Sequence, residues 1–164
     1  MTMDDAKKLE ILATIMRASH FQWRRAALAA CPGQDPQELV NRYWEEVGKD
    51  TARYYLRNID PDRDLADQVA ALFVSSSEVM GEDAELLQKS PEGRSQVRHS
   101  ACPWFDWHRR EGLLAEDQPG CDHFLQVVID EINRALDASL HFRTVESLPG
   151  GGHCCLRQIW EEGK

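Results

Sequence analysis

The spacing of the apolar residues changes near Gly81, and this change constrains the fold more than any other feature of the sequence. Before Gly81, apolar residues such as Leu9, Leu12 and Met16 recur three or four positions apart, which is the spacing of amphipathic helices. After Gly81, short apolar segments alternate with turn residues, as in β-hairpins. The sequence therefore predicts an α+β protein, in which N-terminal helices pack on one face of a small antiparallel sheet formed by two hairpins.

Turn and capping residues predict the boundaries of three N-terminal helices. The first helix is expected to end before "CPG" at 31–33, because proline and glycine interrupt helices. "DPQE" at 35–38 predicts the start of the second helix, with Asp35 as its cap and Pro36 in its first turn. Asp64 is expected to cap the third helix.

Two hairpins and two helices are predicted after Gly81. "PEG" forms the turn of the first hairpin, and a short helix follows from Pro103 to near Gly112. "DQPG" is expected to break the chain before a longer helix that begins at Cys121. The second hairpin pairs "SLHFRTVES" with "HCCLRQIW" through the turn "PGGG". Alternation along the last strand predicts that His153, Cys155, Arg157 and Ile159 share one face.

Length and charge limit the classes of partner. The 164 residues are expected to form one domain, with a helical part at 1–81 and a mixed part at 82–164. A net charge of −9 disfavours binding to nucleic acid or to an anionic membrane. No apolar run approaches the roughly 20 residues that span a bilayer, and no signal-peptide pattern is present, so we expect a cytoplasmic protein. A small molecule is the expected partner, and a homodimer is compatible with the sequence.

Three of the five cysteines are expected to face one region. An odd number of cysteines without an export signal disfavours a disulfide framework. Cys102 precedes Pro103 at a predicted helix N-terminus, where the helix dipole would stabilise a thiolate. Cys121 occupies a similar predicted position, and Cys154 lies on the closing strand. The alternative is that these cysteines are buried as small apolar side chains.

The pattern of cysteine and histidine gives weak support to a metal site. No CxxC or HxxxH pair is present, so no metal or other cofactor is expected. If a zinc site forms, its ligands are Cys102, Cys121, His153 and Cys154, brought together by the tertiary structure.

Several C-terminal motifs resemble one enzyme family. "CPWFDWHRREG" at 102–112, Cys121, "FRT" at 142–144 and "GGGHCCLR" at 150–157 resemble the L-2-amino-thiazoline-4-carboxylic acid hydrolase family. The resemblance covers the C-terminal part, roughly the last 65 residues. A fainter resemblance links the second hairpin to small-molecule-binding domains of the vinyl-reductase type. The matching positions are Cys102, Pro103, Asp106, Arg109, Gly112, Cys121, Arg143, Thr144, Gly150, His153, Cys154, Leu156 and Arg157.

The family resemblance implies a hydrolase that opens the ring of a small cyclic amidine. It implies Cys102 or Cys154 as the nucleophile and His153 as the general base or acid. It implies Asp106 or Asp122 as the partner of the amidine. Arg143 or Arg157 would clamp the substrate carboxylate. The implied substrate-binding residues are Cys121, Asp122, Arg109, Arg143, Thr144 and Arg157.

Two other functions compete with the hydrolase. In the first, the same cysteines hold zinc or a small molecule without turnover. In the second, the cysteine cluster is a buried remnant and the N-terminal helices bind a partner. Metal content and the reactivity of the native thiols distinguish these alternatives from the hydrolase.

Overall fold

The computed structural model describes residues 3–163, and the α+β prediction is confirmed there. The N-terminal helices precede a four-stranded antiparallel sheet in the C-terminal half. The helices are α1 (Asp5–Ala30), α2 (Pro36–Leu56), α3 (Leu65–Val79), α4 (Pro103–Glu111) and α5 (Leu114–Leu136). The strands are β1 (Asp83–Leu87), β2 (Ser95–Ala101), β3 (Leu140–Glu146) and β4 (Cys155–Glu161).

Aspartate caps begin the first three helices. The side chains of Asp4, Asp35 and Asp64 each accept a hydrogen bond from a backbone N–H three positions further along. This capping confirms the predicted starts of α2 and α3, and α1 ends at Ala30 as predicted. Within residues 3–163, the helices are all too short or too polar to cross a membrane.

Helix α1 exposes much of the apolar pattern that predicted it. The side chains of Leu9 and Leu12 lie in solvent, with 51% and 62% of their surface exposed. The buried side of α1 instead carries His20 and Phe21 along with two arginines. The spacing of leucines therefore predicted the helix correctly but did not identify the face that packs on the protein. The homodimer that is compatible with the sequence stays a prediction, because the structure describes a single chain.

Helix α5 begins earlier than predicted. It starts at Leu114 and continues through Pro119, so the predicted break at "DQPG" and the predicted helix start at Cys121 are wrong. Pro119 is the sixth residue of the helix, past its first turn, so it removes the hydrogen bond that a backbone N–H there would donate to the carbonyl of Ala115. Gly120 packs closely on Trp44 of α2, since an added Cβ would lie 3.0 Å from the indole Nε1. Tight packing between α2 and α5 therefore keeps this segment helical.

The strand order is β1-β2-β4-β3, and every neighbouring pair is antiparallel. The two predicted hairpins are thus joined by the pairing of β2 with β4 at the centre of the sheet. Helix α3 packs against β1, β2 and β4, while α5 packs against β3. The core between helices and sheet includes the fully buried side chains of Tyr55, Val69, Val97, Leu125, Ile129, Ile132 and Ile159.

Candidate functional site

The candidate site is centred on Arg157, whose residue surface is only 3% exposed. Its Nη2 donates a hydrogen bond to the Cys121 Sγ at 3.0 Å. Its Nε lies 4.0 Å from Asp122 Oδ1. Thr144 donates to the same oxygen at 2.7 Å, and Gln118 donates to Asp122 Oδ2 at 2.6 Å. The structure thus brings a guanidinium, a thiol and a hydrogen-bonded carboxylate together.

The fold explains why these residues meet. Thr144 on β3 is directly opposite Arg157 on β4 in the antiparallel ladder, so their side chains share a face. Cys121 and Asp122 are consecutive on α5, which packs against β3. The predicted shared face is confirmed for Cys155, Arg157 and Ile159, which are all buried. It is wrong for His153, which is exposed because β4 begins only at Cys155.

An open groove of about 650 Å³ lies beside this group of residues. The groove is lined by Gln118 and Asp122 of α5, residues 144–146 of β3, and residues 147 and 150–152 of the β3–β4 connection. The side chain of Asp122 is 35% exposed, although its Oδ1 lies near the buried Arg157. Asp122 therefore links the groove to the protein interior.

The triple glycine shapes the turn beside the groove. Gly151 has a φ of +88°, and a Cβ on Gly152 would lie only 2.5 Å from Glu146 Cγ. This close approach allows Glu146 Oε1 to accept the backbone N–H groups of His153 and Cys154. Those hydrogen bonds hold the pKa of Glu146 below its usual value. The side chain of His153 is exposed, and both residues precede β4 rather than belonging to it.

Cys102 and Cys121 belong to a polar interior, where burial keeps their thiols protonated. Cys102 is the N-cap of α4 and interacts electrostatically with Glu82, Cys121 and Asp117. Burial raises the pKa of Cys102 far above its usual value, and Glu82 raises it further. A hydrogen bond from the backbone of Phe105 lowers it, as expected at a helix N-terminus, but this effect is smaller. The pKa of Cys102 is therefore raised overall, whereas stabilisation of the thiolate by the helix dipole would have lowered it.

The pKa of Cys121 is also raised. Burial brings it to about 12, although the charge of Arg157 opposes the shift. Because a thiol with such a pKa carries almost no thiolate at neutral pH, neither Cys102 nor Cys121 is ionised in the unliganded protein.

Two histidine–carboxylate pairs complete this interior, and sequence reasoning missed both. His99 Nε2 lies 3.3 Å from Glu82 Oε2, and His108 Nδ1 lies 3.4 Å from Asp117 Oδ1. Burial raises the pKa of Glu82 to about 7 and lowers the pKa of His99 to about 4. The alternation of His99 with Val97 on β2 could have marked it as inward-facing. Asp117 and Gln118 belong to "DQPG", for which the sequence predicts a break and which is helical in α5.

Several buried polar atoms of this interior have no hydrogen-bond partner among the described residues. They come from four different elements, α1, β2, α5 and β4. Since buried polar groups are nearly always paired, such atoms mark a place where a polar ligand could be bound. They are Arg17 Nε, His99 Nδ1, Asp117 Oδ2 and Arg157 Nε.

Other residues proposed from the sequence lie elsewhere. Asp106 and Arg109 form an ion pair of 2.8 Å on α4, with 62% and 63% of their side chains exposed. Arg143 is exposed and donates from Nε to Gln158 Oε1 at 2.9 Å. Because Arg143 neighbours Thr144 on β3, it points to the opposite face of the sheet from Arg157. Their functional roles stay predictions.

The four conditional zinc ligands fall into two places. Cys102 and Cys121 interact within the polar interior, whereas His153 and Cys154 are held at the β3–β4 connection by Glu146. Across residues 3–163, no three side chains of histidine, cysteine, aspartate or glutamate gather as a metal site would require. The prediction of no cofactor, with zinc at these residues as the conditional alternative, stays a prediction that metal analysis of the purified protein would test.

Two solved structures share the fold at low sequence identity, and they show the fold alone. A trafficking protein particle complex subunit 3 from Naegleria fowleri, covalently bound to palmitic acid, has a TM-score of 0.59 and 9% identity, covering 93% of this chain and 96% of that chain. The phenol-responsive sensory domain of the transcription activator PoxR, with phenol, has a TM-score of 0.56 and 12% identity, covering 87% of this chain and 73% of that chain.

Sequence comparison identifies the family. No curated protein matches the chain significantly. The profile of the L-2-amino-thiazoline-4-carboxylic acid hydrolase family matches residues 11–158, well beyond the C-terminal part that carries the resembling motifs. Because this match includes the N-terminal helices and most of the chain, the protein belongs to the L-2-amino-thiazoline-4-carboxylic acid hydrolase family.

Proposed function

We propose that this protein hydrolyses a small cyclic amidine that carries a carboxylate, such as 2-amino-thiazoline-4-carboxylate. The observation that carries the proposal is the contact of Arg157 with Cys121 and Asp122 beside the groove. Such a substrate has a cationic amidine at one end and a carboxylate at the other. A carboxylate and a guanidinium a few ångströms apart complement both groups.

Asp122 is the better candidate for the amidine partner. Its carboxylate is partly exposed in the groove, and Thr144 and Gln118 fix its two oxygens. Asp106 is paired with Arg109 on an exposed face of α4. Arg157 is the better carboxylate clamp, because its Nε has no hydrogen-bond partner among the described residues.

The reaction needs a nucleophile at the carbon of the C=N bond. Cys102 is favoured because it lies with Cys121, Glu82 and Asp117 in the polar interior. Cys154, beside Glu146 in the β3–β4 connection, is the alternative. Addition to that carbon is followed by cleavage of its bond to the ring sulfur, which leaves as a thiol after gaining a proton. Water then supplies the oxygen of the ureido product.

The protonated resting state of the thiols is compatible with this chemistry. Glu82 and Asp117 both raise the pKa of Cys102, since their negative charges repel a thiolate. A bound amidinium would offset that repulsion, because its positive charge favours the ionised sulfur. Substrate binding would thus activate the nucleophile, and the unliganded protein would avoid wasteful thiol chemistry.

The test is turnover of 2-amino-thiazoline-4-carboxylate by the purified protein, with the ureido product measured by mass spectrometry. We expect the wild type and Cys31→Ser to form product at similar rates, since Cys31 is an exposed residue just after α1. Cys102→Ser should lose most activity. Loss in Cys154→Ser instead would transfer the nucleophilic role to Cys154.

The second candidate is a binding module for zinc or a small molecule without turnover. The raised pKa values of Cys102 and Cys121 favour it, because neither thiol is ready to react in the unliganded protein. Calorimetry with the same amidine, together with metal analysis, separates the two functions. Saturable binding without product would support the binding module and contradict the hydrolase.

A further inference from the structure

We propose that Glu82 is the proton acceptor for Cys102 in this site, and that His99 is a positioning residue for Glu82. The inference rests on the proposed hydrolase function and deepens it, because it assigns the proton transfer to a residue that no family motif marks. It also moves that role away from His153, which is exposed and held only through its backbone.

The backbone around Glu82 is fixed from two sides. Gly81 adopts a φ of +76° between α3 and β1, where a residue with a side chain would be strained. The Glu82 N–H donates to the carbonyl of Ser77 at 3.0 Å. Arg17 of α1 donates from Nη1 to the carbonyl of Met80 at 2.5 Å. These contacts place the Glu82 carboxylate inside the protein, with 12% of the side chain exposed.

The surroundings of the carboxylate suit a proton acceptor. His99 Nε2 lies within 3.3 Å of it and 2.9 Å from Ser77 Oγ. Because the pKa of His99 is lowered to about 4, the imidazole is neutral and does not compete for the proton. Glu82 precedes Asp83, which pairs with Ala101 on β2, so Glu82 and Cys102 adjoin the same end of the β1–β2 ladder. The titratable or charged groups that face them are Arg17 from α1, His99 from β2, Asp117 and Cys121 from α5, and Arg157 from β4, and Ser77 of α3 adds a neutral hydroxyl.

The combined effect of burial and these neighbouring groups sets the pKa of Glu82. Burial raises its pKa and Asp117 raises it further, while Ser77, Arg157 and Arg17 lower it, and the result is about 7. A general base is most effective when its pKa lies near the operating pH. Glu82 therefore can both accept and return a proton at neutral pH.

The proton transfers balance as follows. Glu82 takes the Cys102 proton as the sulfur bonds to the amidinium carbon, and the C=N electron pair moves to nitrogen. Nitrogen re-forms the double bond, and the ring sulfur leaves and takes the proton from Glu82. Water then adds to the enzyme-bound isothiouronium carbon and gives one proton to Glu82. As the carbonyl forms, Cys102 leaves with that proton, and the second proton of the water goes to solvent.

The test compares Glu82→Gln with Glu85→Gln, a matched control on the outer face of β1, where Glu85 pairs with exposed Arg98. Two rates are measured across pH: kcat/KM for 2-amino-thiazoline-4-carboxylate and alkylation of Cys102 by iodoacetamide. In the wild type and the control, kcat/KM should rise with a midpoint near pH 7. In Glu82→Gln, that rise should vanish and kcat/KM should fall about 100-fold or more.

The alkylation rate separates a proton acceptor from a structural residue. Removing the charge of Glu82 lowers the pKa of Cys102, so alkylation in Glu82→Gln should be faster than in the wild type. Slower alkylation together with lost activity would mean a damaged fold and would overturn the proposal. Glu82→Asp provides a second variant, which should keep the pH-dependent rise at a reduced rate.

The role of His99 is tested by the pH at the midpoint of the rise in kcat/KM. His99→Phe removes the imidazole that lies 3.3 Å from the carboxylate and is hydrogen-bonded to Ser77, whose own hydrogen bond lowers the pKa of Glu82. The midpoint should then move to higher pH, whereas His99→Gln keeps a polar side chain at this position and should restore it. Unchanged midpoints in both variants would overturn the positioning role.

These experiments can contradict the role of Glu82 and the hydrolase function separately. Turnover by the wild type with an unchanged rate in Glu82→Gln overturns only the role of Glu82. A wild type without turnover overturns the hydrolase, and faster alkylation in Glu82→Gln would then still support the coupling of Glu82 to Cys102.

Discussion

Arg157 donates a hydrogen bond of 3.0 Å to the sulfur of Cys121, so a buried positive charge rests against a neutral thiol. Its closest carboxylate oxygen among the described residues, on Asp122, is 4.0 Å away and already accepts from Thr144. The guanidinium is thus incompletely paired in the unliganded protein. A ligand carboxylate would give the guanidinium its missing partner. The groups that surround Arg157 in the folded protein are thus also those of the proposed binding site.

Arg157→Met should destabilise the protein strongly, because it leaves the hydrogen-bonding groups around Arg157 without their cation. Loss of a hydrogen bond made by a charged group typically lowers the free energy of unfolding by about 1.5–3 kcal/mol. Arg143→Met is the matched control, since Arg143 is exposed on the opposite face, and there we expect a loss below about 1 kcal/mol. Urea unfolding measures the free energy of unfolding of both variants. An equal decrease in the two variants would contradict the stabilising role of Arg157.

Asp122→Asn should impair hydrolysis more than Asp106→Asn. Removing the Asp122 charge deprives an amidinium of its partner in the groove, and we expect kcat/KM to fall about 100-fold, the scale of a charged hydrogen bond of roughly 3 kcal/mol. Asp106 is exposed and paired only with Arg109, so its variant should change little. Steady-state kinetics decide, and a larger effect at Asp106 would reverse the assignment.

His20 should make the protein sensitive to acid. It is 1% exposed among aromatic side chains, and burial lowers its pKa to about 4 from an ordinary 6.5. Because the folded pKa is depressed, the folded state binds fewer protons, and stability present above pH 6.5 is lost as the pH falls towards 4. Relative to His20→Phe, the wild type should lose about 3 kcal/mol over this range.

Urea unfolding at several pH values measures this difference. The matched control is His141→Phe, at an exposed position beside Glu162, which should not flatten the acid dependence. A His20→Phe variant with the same acid dependence as the wild type would contradict the neutral state of His20.

Alkylation of the native protein should rank its cysteines. Cys31 is exposed and should react first with iodoacetamide at neutral pH. Cys102 and Cys121 should react slowly, because burial raises both pKa values and suppresses the thiolate. Mass mapping of each peptide over time gives the rates. Fast reaction of Cys102 in the unliganded protein would mean that its surroundings favour the thiolate.

Gly152→Ala should disturb the turn beside the groove more than Gly150→Ala. A Cβ on Gly152 would lie 2.5 Å from Glu146 Cγ, whereas a Cβ on Gly150 would approach mainly the hydroxyl of Ser147, at 2.8 Å. The Ser147 side chain can rotate away, but Glu146 is held by two backbone N–H groups. We expect Gly152→Ala to lower the free energy of unfolding by about 1–3 kcal/mol. Similar thermal unfolding of the two variants would refute this difference.

Local signals in the sequence predicted most of the elements. The caps at Asp35 and Asp64, the proline at position 103 and the glycine at position 112 act over one or two turns, so a sequence pattern contains them completely. The start of α5 was missed because its course through Pro119 depends on contact with α2, and that contact is a tertiary effect.

The candidate site was only partly predictable for the same reason. Thr144 and Arg157 could be found because strand alternation and the family motif both mark them. Glu82 and Asp117 could not be found, because their burial and raised pKa values arise from groups on several distant elements. The sign of the Cys102 shift was missed because the helix N-terminus is a local effect, whereas the larger effect of burial depends on the whole fold.

The pairing of β2 with β4 also bears on how the chain folds. His99 on β2 lies opposite Cys155 on β4, and the segment between them contains two helices and β3. Closing so long a loop costs entropy before the strand contacts repay it, so this pairing is expected late in folding. Arg157 follows helices α1 to α5 in the chain, and it reaches Cys121 only after β4 has inserted between β2 and β3. A nascent chain can therefore complete its helices long before it has a site.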